Sequence, residues 1–255
     1  MSKIYSWNVN SLRSCENNFL QFIKDYQPDI VGIQELRATS DQLSFFLKFL
    51  DGYSCLFNDS GRPGYAGTAM YYKNTLDVKD ISNKVGNEIL ETEGRIIRIK
   101  VGDITIFNFY TPNGNSSDIR LKFKLQYYDE ILKLVKPMIE NGEKVIVGGD
   151  LNVGHTHDDM YLKDCKMSGF LPEERKWFDD MLDIGMVDSF RMFQKGPGYY
   201  SWWHMRDPKR VNNNGWRFDY FLISKNLEKD VKSAGILKEV YGSDHCPIWV
   251  EVENE

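Results

Sequence analysis

The 255-residue chain is 42% hydrophobic and 27% charged, a balance that supports a folded core and excludes a disordered or low-complexity chain. Its formal net charge of −5 gives no general attraction to nucleic acid, although acids gathered at a metal site would lower the charge of any enzyme. No apolar run approaches the roughly 20 residues that span a bilayer, and Asn8 breaks the N-terminal MSKIYSWNVN, so a cytoplasmic protein without secretory signal or membrane span is expected.

In chain order, KIYSWNV (3–9) reads as a strand, β-branched and aromatic and closed by polar residues. A weak helical pattern over 16–26 precedes a strand over DIVGIQE (29–35). Residues 40–50 carry another weak helical signal, and TAMYYK (68–73) a strand. RIIRIKVGDITIFNFY (95–110) reads as a hairpin with Gly102 and Asp103 near its turn. From Leu121, apolar residues fall at Leu125, Tyr128, Leu132, Val135 and Ile139, a helical face that Pro137 is expected to kink or end early. KVIVGGD (144–150) is a strand and 172–183 a helix; YYSWW (199–203), FDYFLIS (218–224) and PIWVEV (247–252) are strands. No repeat or Gly/Pro/Ser-rich linker divides the chain, which predicts one domain over 1–255, two packed sheets with helices outside. The four cysteines (Cys15, Cys55, Cys165, Cys246) are scattered and read as reduced structural thiols.

Polar residues interrupt the apolar runs at their ends: Asn8 and Asn10, Glu35, Tyr110 and Asn113, Asp150 and Asn152, Asp219, and Asp244 with His245. Burying one neutral polar group without a partner costs roughly 2–7 kcal/mol, so any single one reads most simply as a satisfied core group or a strand-end turn. Their recurrence at the edges of separate strands points to one pocket where strands of both sheets end. GSDHCPI (242–248) leaves open metal ligation, a Cys–His nucleophile pair or an acid–base dyad. In GHTHDD (154–159), His155 and His157 suggest zinc, but no H-x-x-x-H spacing or cysteine partner accompanies them. RLKFK (120–124), KDCK (163–166) and RDPKR (206–210) read as solvated faces unless the fold gathers them round one cleft.

The blocks SWNVNSLR (6–13), IQELR (33–37), GYAG (64–67), YTPNG (110–114), GGDLNVGH (148–155), SGFLPEER (168–175), NNGWRFDYFLIS (213–224) and GSDHCPI run in order along nearly the whole chain. In series they resemble the exonuclease III-type abasic-site endonucleases of the endonuclease/exonuclease/phosphatase superfamily. The resemblance implies an α/β fold of DNase I type, a four-layer α/β sandwich of two facing sheets flanked by helices. It implies Mg²⁺-dependent hydrolysis of double-stranded DNA 5′ to an abasic site, with Mn²⁺ as substitute, by a monomer that leaves a 3′-hydroxyl. Many relatives add 3′→5′ exonuclease and 3′-phosphatase activity on 3′-blocked ends.

Carried over residue by residue, the resemblance makes Glu35 the main metal ligand, with Asn8, Asn10 and Asp244 near it. Asp150 orients or deprotonates the attacking water and Asn152 holds the scissile phosphate. Tyr110 and Asn113 contact phosphate or leaving group, and Asp219 and His245 form an Asp–His pair. Trp202, Trp216 and Phe218 match an apolar pocket for the abasic sugar, while Arg37, Tyr65 and Arg206 match contacts to the DNA backbone. His155 matches a family histidine, and His157 has no counterpart. In GSDHCPI this leaves Asp244 and His245 as the working part, with Asp219 and not Asp244 as the partner that orients His245, and Cys246 as a small core residue. Two departures stand out: Ser11 replaces a usual Gly, and Met167-Ser168 stands where many relatives carry Asn.

Overall fold

The computed structural model describes residues 1–162, 165–204 and 210–253. Its strands form two six-stranded sheets. The first has the order β11 (Val231–Ile236), β12 (Ile248–Val252), β1 (Ser2–Asn8), β2 (Ile30–Gln34), β4 (Thr68–Lys73), β3 (Tyr53–Asn58). The second runs β5 (Val78–Ser82), β6 (Ile96–Val101), β7 (Ile104–Tyr110), β8 (Lys144–Asp150), β10 (Asp219–Ser224), β9 (Met186–Asp188). The pairs β1–β2 and β7–β8 are parallel, and each sits inside an otherwise antiparallel sheet.

Alternation along the strands builds the layers. On β1, Ile4 packs between the sheets, while Tyr5 and Trp7 pack outward with Phe19 and Phe22 of α1 (Glu16–Tyr26) and Leu47 of α2 (Phe45–Lys48). On β8, Ile146 packs between the sheets, whereas Val145 and Val147 meet Tyr127, Tyr128 and Ile131 of α4 (Asp118–Glu140) and Trp177 and Phe178 of α5 (Pro172–Asp183). The result is helix, sheet, sheet, helix: a four-layer sandwich, completed by the short α3 (Glu88–Glu91) and α6 (Ser189–Phe193).

The same period of two brings the polar residues together. Positions two apart read Ile4, Ser6, Asn8 on β1; Ile30, Gly32, Gln34 on β2; Ile106, Asn108, Tyr110 on β7; and Ile146, Gly148, Asp150 on β8. On the antiparallel β10 the series reverses, from Asp219 through Phe221 to Ile223. Every series is apolar at one end of the sandwich and polar at the other. Strand register then sets Asn8 against Gln34, and Asp150 against both Tyr110 and Asp219. Below the site, Gln34 Nε2 donates to Ser6 Oγ (2.9 Å) and across the sheets to Asn108 Oδ1 (2.5 Å). Gly32 is required there, since a Cβ would lie 2.7 Å from the Asn108 side chain.

Several expectations need correction. α4 runs through Pro137 to Glu140, because a proline in the last turn removes one hydrogen bond while its own carbonyl still accepts from Asn141 (3.0 Å). The face α4 buries is Lys124, Tyr127, Tyr128, Ile131 and Val135, and Leu125, Leu132 and Ile139 only flank it. RLKFK is therefore not a solvated face, since the Lys124 ammonium pairs internally with Glu174. The 40–50 region is a 3₁₀ turn followed by the single turn α2. YYSWW forms isolated bridges from Trp202 to Trp216 and His245 instead of a strand. β3, β5, β9 and β11 were not expected; all four are sheet edges, where half-buried residues blur the alternation.

Candidate active site

Each central side chain sits where an inward-facing strand position meets a loop. Asn8, Tyr110 and Asp150 close β1, β7 and β8, Asp219 opens β10, Glu35 follows β2, and His245 shortly precedes β12. The loops turn sharply there: Asn10, Glu35, Arg37 and Asn152 all hold φ between 48° and 57°. Such left-handed backbone in non-glycine residues is concentrated where the surroundings over-determine it, as at functional sites.

Asp150 lies at the centre and is buried. Its Oδ1 accepts the backbone N–H of Asn152 (3.0 Å), and its Oδ2 accepts from Asn8 Nδ2 (2.9 Å) and Asn152 Nδ2 (3.2 Å). Burial, with the nearby carboxylates of Asp219 and Glu35, raises its pKa to about 7 against the opposing pull of His245 and the Asn8 amide. His245 Nδ1 lies 2.8 Å from Asp219 Oδ2, and its Nε2 3.9 Å from Asp150 Oδ2. Burial disfavours the charged ring, but Asp219 and Asp150 together outweigh it and raise the pKa to about 10. At neutral pH the ring is therefore an imidazolium with a proton on each nitrogen, Nδ1–H donating to Asp219 and Nε2–H on the side of Asp150.

Glu35 Oε1 accepts from Asn8 Nδ2 (3.1 Å) and from the Tyr110 hydroxyl (3.0 Å). Its buried Oε2 accepts no hydrogen bond and has the Arg37 guanidinium as its ion-pair partner. Burial and Glu35 push the Tyr110 pKa well up, which keeps the phenol a neutral donor. Asp244 takes Asn10 Nδ2 on one oxygen (3.0 Å) and the Trp202 indole N–H on the other (3.0 Å). Asn113 Nδ2 reaches Asn152 Oδ1 at 3.4 Å. These groups open on a cavity of about 460 Å³ whose other wall includes Trp202, Trp216 and Phe218. The Phe218 ring centroid is 5.4 Å from that of Trp202 and 5.1 Å from that of Trp216.

Asp150, Asp219 and His245 bring ligand-type atoms within 4.8 Å of one another, a grouping that could hold a metal ion. The hydrogen bond between Asp219 and His245 engages two of the three, whereas Glu35 Oε2 is buried, accepts no hydrogen bond and, among the described residues, meets only the Arg37 guanidinium. Oxygen donors and no thiolate suit a hard divalent cation. The GHTHDD histidines do not converge on a metal: His155 stacks on Phe178 and pairs with Asp179 (2.7 Å), and His157 meets the edge of Phe170. Cys246 is buried beside Tyr200 and Trp203, and burial raises its thiol pKa, which disfavours a Cys–His nucleophile.

Among the expected DNA contacts, Arg37 reaches Glu35, and Tyr65 donates to Glu93 (3.2 Å) beneath Arg62. Arg206 lies outside the described residues, as do the rest of RDPKR before Arg210 and the first two residues of KDCK. Ser11 adopts φ of 125°, where glycine is favoured. Met167 is exposed at the cavity, while Ser168 Oγ donates to Glu174 (2.6 Å).

Sequence reasoning missed a supporting layer of buried charges. Arg95 is 2% exposed, lies 4.4 Å from the Tyr110 ring centroid, and pairs with Glu93 (2.7 Å). Lys124 Nζ donates to the Asn152 carbonyl (2.7 Å) and to Glu174 (2.6 Å), whose other oxygen accepts the N–H groups of Gly169 and Leu171. The available signal for Lys124 was its place three and four residues before Tyr127 and Tyr128 on the buried face. Ser201 Oγ accepts the N–H groups of Phe218 (3.1 Å) and Asp219 (3.2 Å), holding the start of β10, and nothing in its sequence context marks it.

Residues 5–245 match the Endonuclease/Exonuclease/phosphatase family. An exodeoxyribonuclease of Bacillus subtilis (strain 168) is 34% identical over 96% of this chain and 97% of its own length. A DNA-(apurinic or apyrimidinic site) endonuclease of Dictyostelium discoideum is 32% identical over 98% of this chain and 70% of its own. The structure of an AP endonuclease from Archaeoglobus fulgidus superposes with a TM-score of 0.89 at 25% identity, covering both chains completely (100% of each). With the family's pattern spanning the strands that carry every central site residue, the chain belongs to the endonuclease/exonuclease/phosphatase family.

Proposed function

We propose that the protein is a Mg²⁺-dependent DNA repair endonuclease that hydrolyses the phosphodiester 5′ to an abasic site and leaves a 3′-hydroxyl, with 3′→5′ exonuclease and 3′-phosphatase action at blocked ends. The observation that carries this reading is one cavity joining two chemistries. On one side stand Asp150 and the His245 imidazolium, and on the other the aromatic wall of Trp202, Trp216 and Phe218. The named activities of the relatives point the same way.

Asp150, with its pKa near 7, takes a proton from the attacking water, and the Asn8 and Asn152 amides that hold it fix its orientation. His245, held through Nδ1 by Asp219, places positive charge beside Asp150, where negative charge builds on the phosphoryl oxygens. Tyr110 and Asn113 supply neutral donors along the same wall. The aromatic side accepts a sugar without a base, for which shape and apolar contact are the available means of recognition. Glu35 is the principal residue for Mg²⁺, with Asn8, Asn10 and Asp244 around it; the bound ion supplies charge neutralisation at the phosphate.

The test is a duplex carrying a single abasic analogue, incubated with Mg²⁺ or with EDTA. Incision with Mg²⁺ that stops in EDTA supports the reading. Turnover of small phosphomonoesters with an intact duplex would replace it with a small-molecule phosphatase.

A further inference from the structure

Arg217 is a fully buried cation that no step above uses. Its Nε donates to Asp159 Oδ1 (2.8 Å) and its Nη2 to Asp188 Oδ2 (2.7 Å), while Nη1 is buried without a hydrogen-bond partner. Asp219 is in the complementary position. Its Oδ2 accepts from His245, and its buried Oδ1 is without a hydrogen-bond partner. The two residues are two apart in sequence, Arg217 in the segment that leads into β10 and Asp219 at its start. Both border one cavity of about 10 Å³, enclosed also by Ser189, Phe190, Ile236, Ile248 and Trp249.

An unsatisfied buried donor and an unsatisfied buried acceptor, on two residues that border one small space, are each unfavourable, more so for charged groups. A space of roughly 10–15 Å³ holds one water when polar groups surround it. A bare cation there would meet the guanidinium and an anion the carboxylate; a neutral group that both accepts and donates suits both. We propose that a single buried water accepts from Arg217 Nη1 and donates to Asp219 Oδ1, and that Arg217 acts through it as a positioning residue for His245. With Oδ1 held by the water, the Asp219 carboxylate cannot rotate, and Oδ2 stays aimed at Nδ1. The water thus joins the buried Asp159–Arg217–Asp188 network to the ring beside Asp150. The kinetic consequence rests on the proposed phosphodiesterase function, whereas the water site itself does not.

The test has two parts. In the wild-type protein, high-resolution crystallography or ¹⁷O relaxation dispersion should find one long-resident water between these two atoms. In Arg217→Lys, which keeps a positive charge but cannot serve Asp159, Asp188 and the water together, the His245 Nδ1–H proton resonance should shift or broaden. Its kcat on an abasic duplex should fall about tenfold with KM nearly unchanged, as for other residues that orient a catalytic group. A wild-type cavity without water, or direct contact between Arg217 Nη1 and Asp219, overturns the proposal even if the variant fails to fold. So does an Arg217→Lys protein with both resonance and kcat unchanged. An ordered water with a perturbed Nδ1–H in a chain that does not incise DNA supports the water site and removes the function instead.

Discussion

Replacing Asp150 by Asn should disable the enzyme while making the fold less sensitive to rising pH. A group whose folded pKa is raised contributes stability that is complete below its unfolded pKa and is lost as pH climbs through the folded one. For Asp150 that window runs from the ordinary 3.8 to about 7. At about 1.4 kcal/mol per pH unit, this corresponds to roughly 4 kcal/mol lost by the wild type and not by the variant. The introduced amide offers one acceptor where three donor contacts converge, which lowers the variant's stability at both pH values and so cancels from the shift. The shift should be about 3–4 kcal/mol in favour of the variant between pH 4 and pH 8. Urea denaturation of both proteins in EDTA at the two pH values measures it. Single-turnover incision by the variant should fall by roughly two or more orders of magnitude. A stability difference that does not move with pH would show that Asp150 ionises without cost. Wild-type turnover in the variant would show that it is not the base.

In limiting metal, the pH–rate profile should rise near 7 as Asp150 loses its proton and fall near 10 as His245 loses its own; a flat profile between pH 6 and 9 would contradict these roles. Lys124→Met leaves Glu174 buried without its cation and should destabilise the protein by about 3–5 kcal/mol in chemical denaturation. An unchanged midpoint would mean that Glu174 is held by its N–H donors alone. Ser11→Gly relieves a backbone at φ of 125° and should stabilise by about 1 kcal/mol without altering incision; a lower melting temperature would refute the strain.

The site was legible in the sequence because its residues interrupt apolar runs at strand ends. Asn8, Tyr110 and Asp150 each end an alternating series, and parallel pairing of β1 with β2 and of β7 with β8 carries those ends to the same edge. The order of the sheets was not legible, since it depends on pairings between distant segments such as β1 with β12. Buried charges were the other blind spot. Arg95, Lys124 and Arg217 look like surface residues in a linear pattern, because their partners Glu93, Glu174 and Asp159 stand in loops or on other elements. Asp219 was found from its motif, but its orphan oxygen is visible only in three dimensions.

The most direct measurement maps the nick. A duplex labelled at the 5′ end of the damaged strand and carrying one abasic analogue should, with Mg²⁺, yield a fragment ending one nucleotide before the lesion. That fragment should carry a 3′-hydroxyl that a DNA polymerase extends. A fragment retaining the abasic residue, a 3′-phosphate end, or equal cleavage of the undamaged duplex would contradict incision 5′ to the lesion.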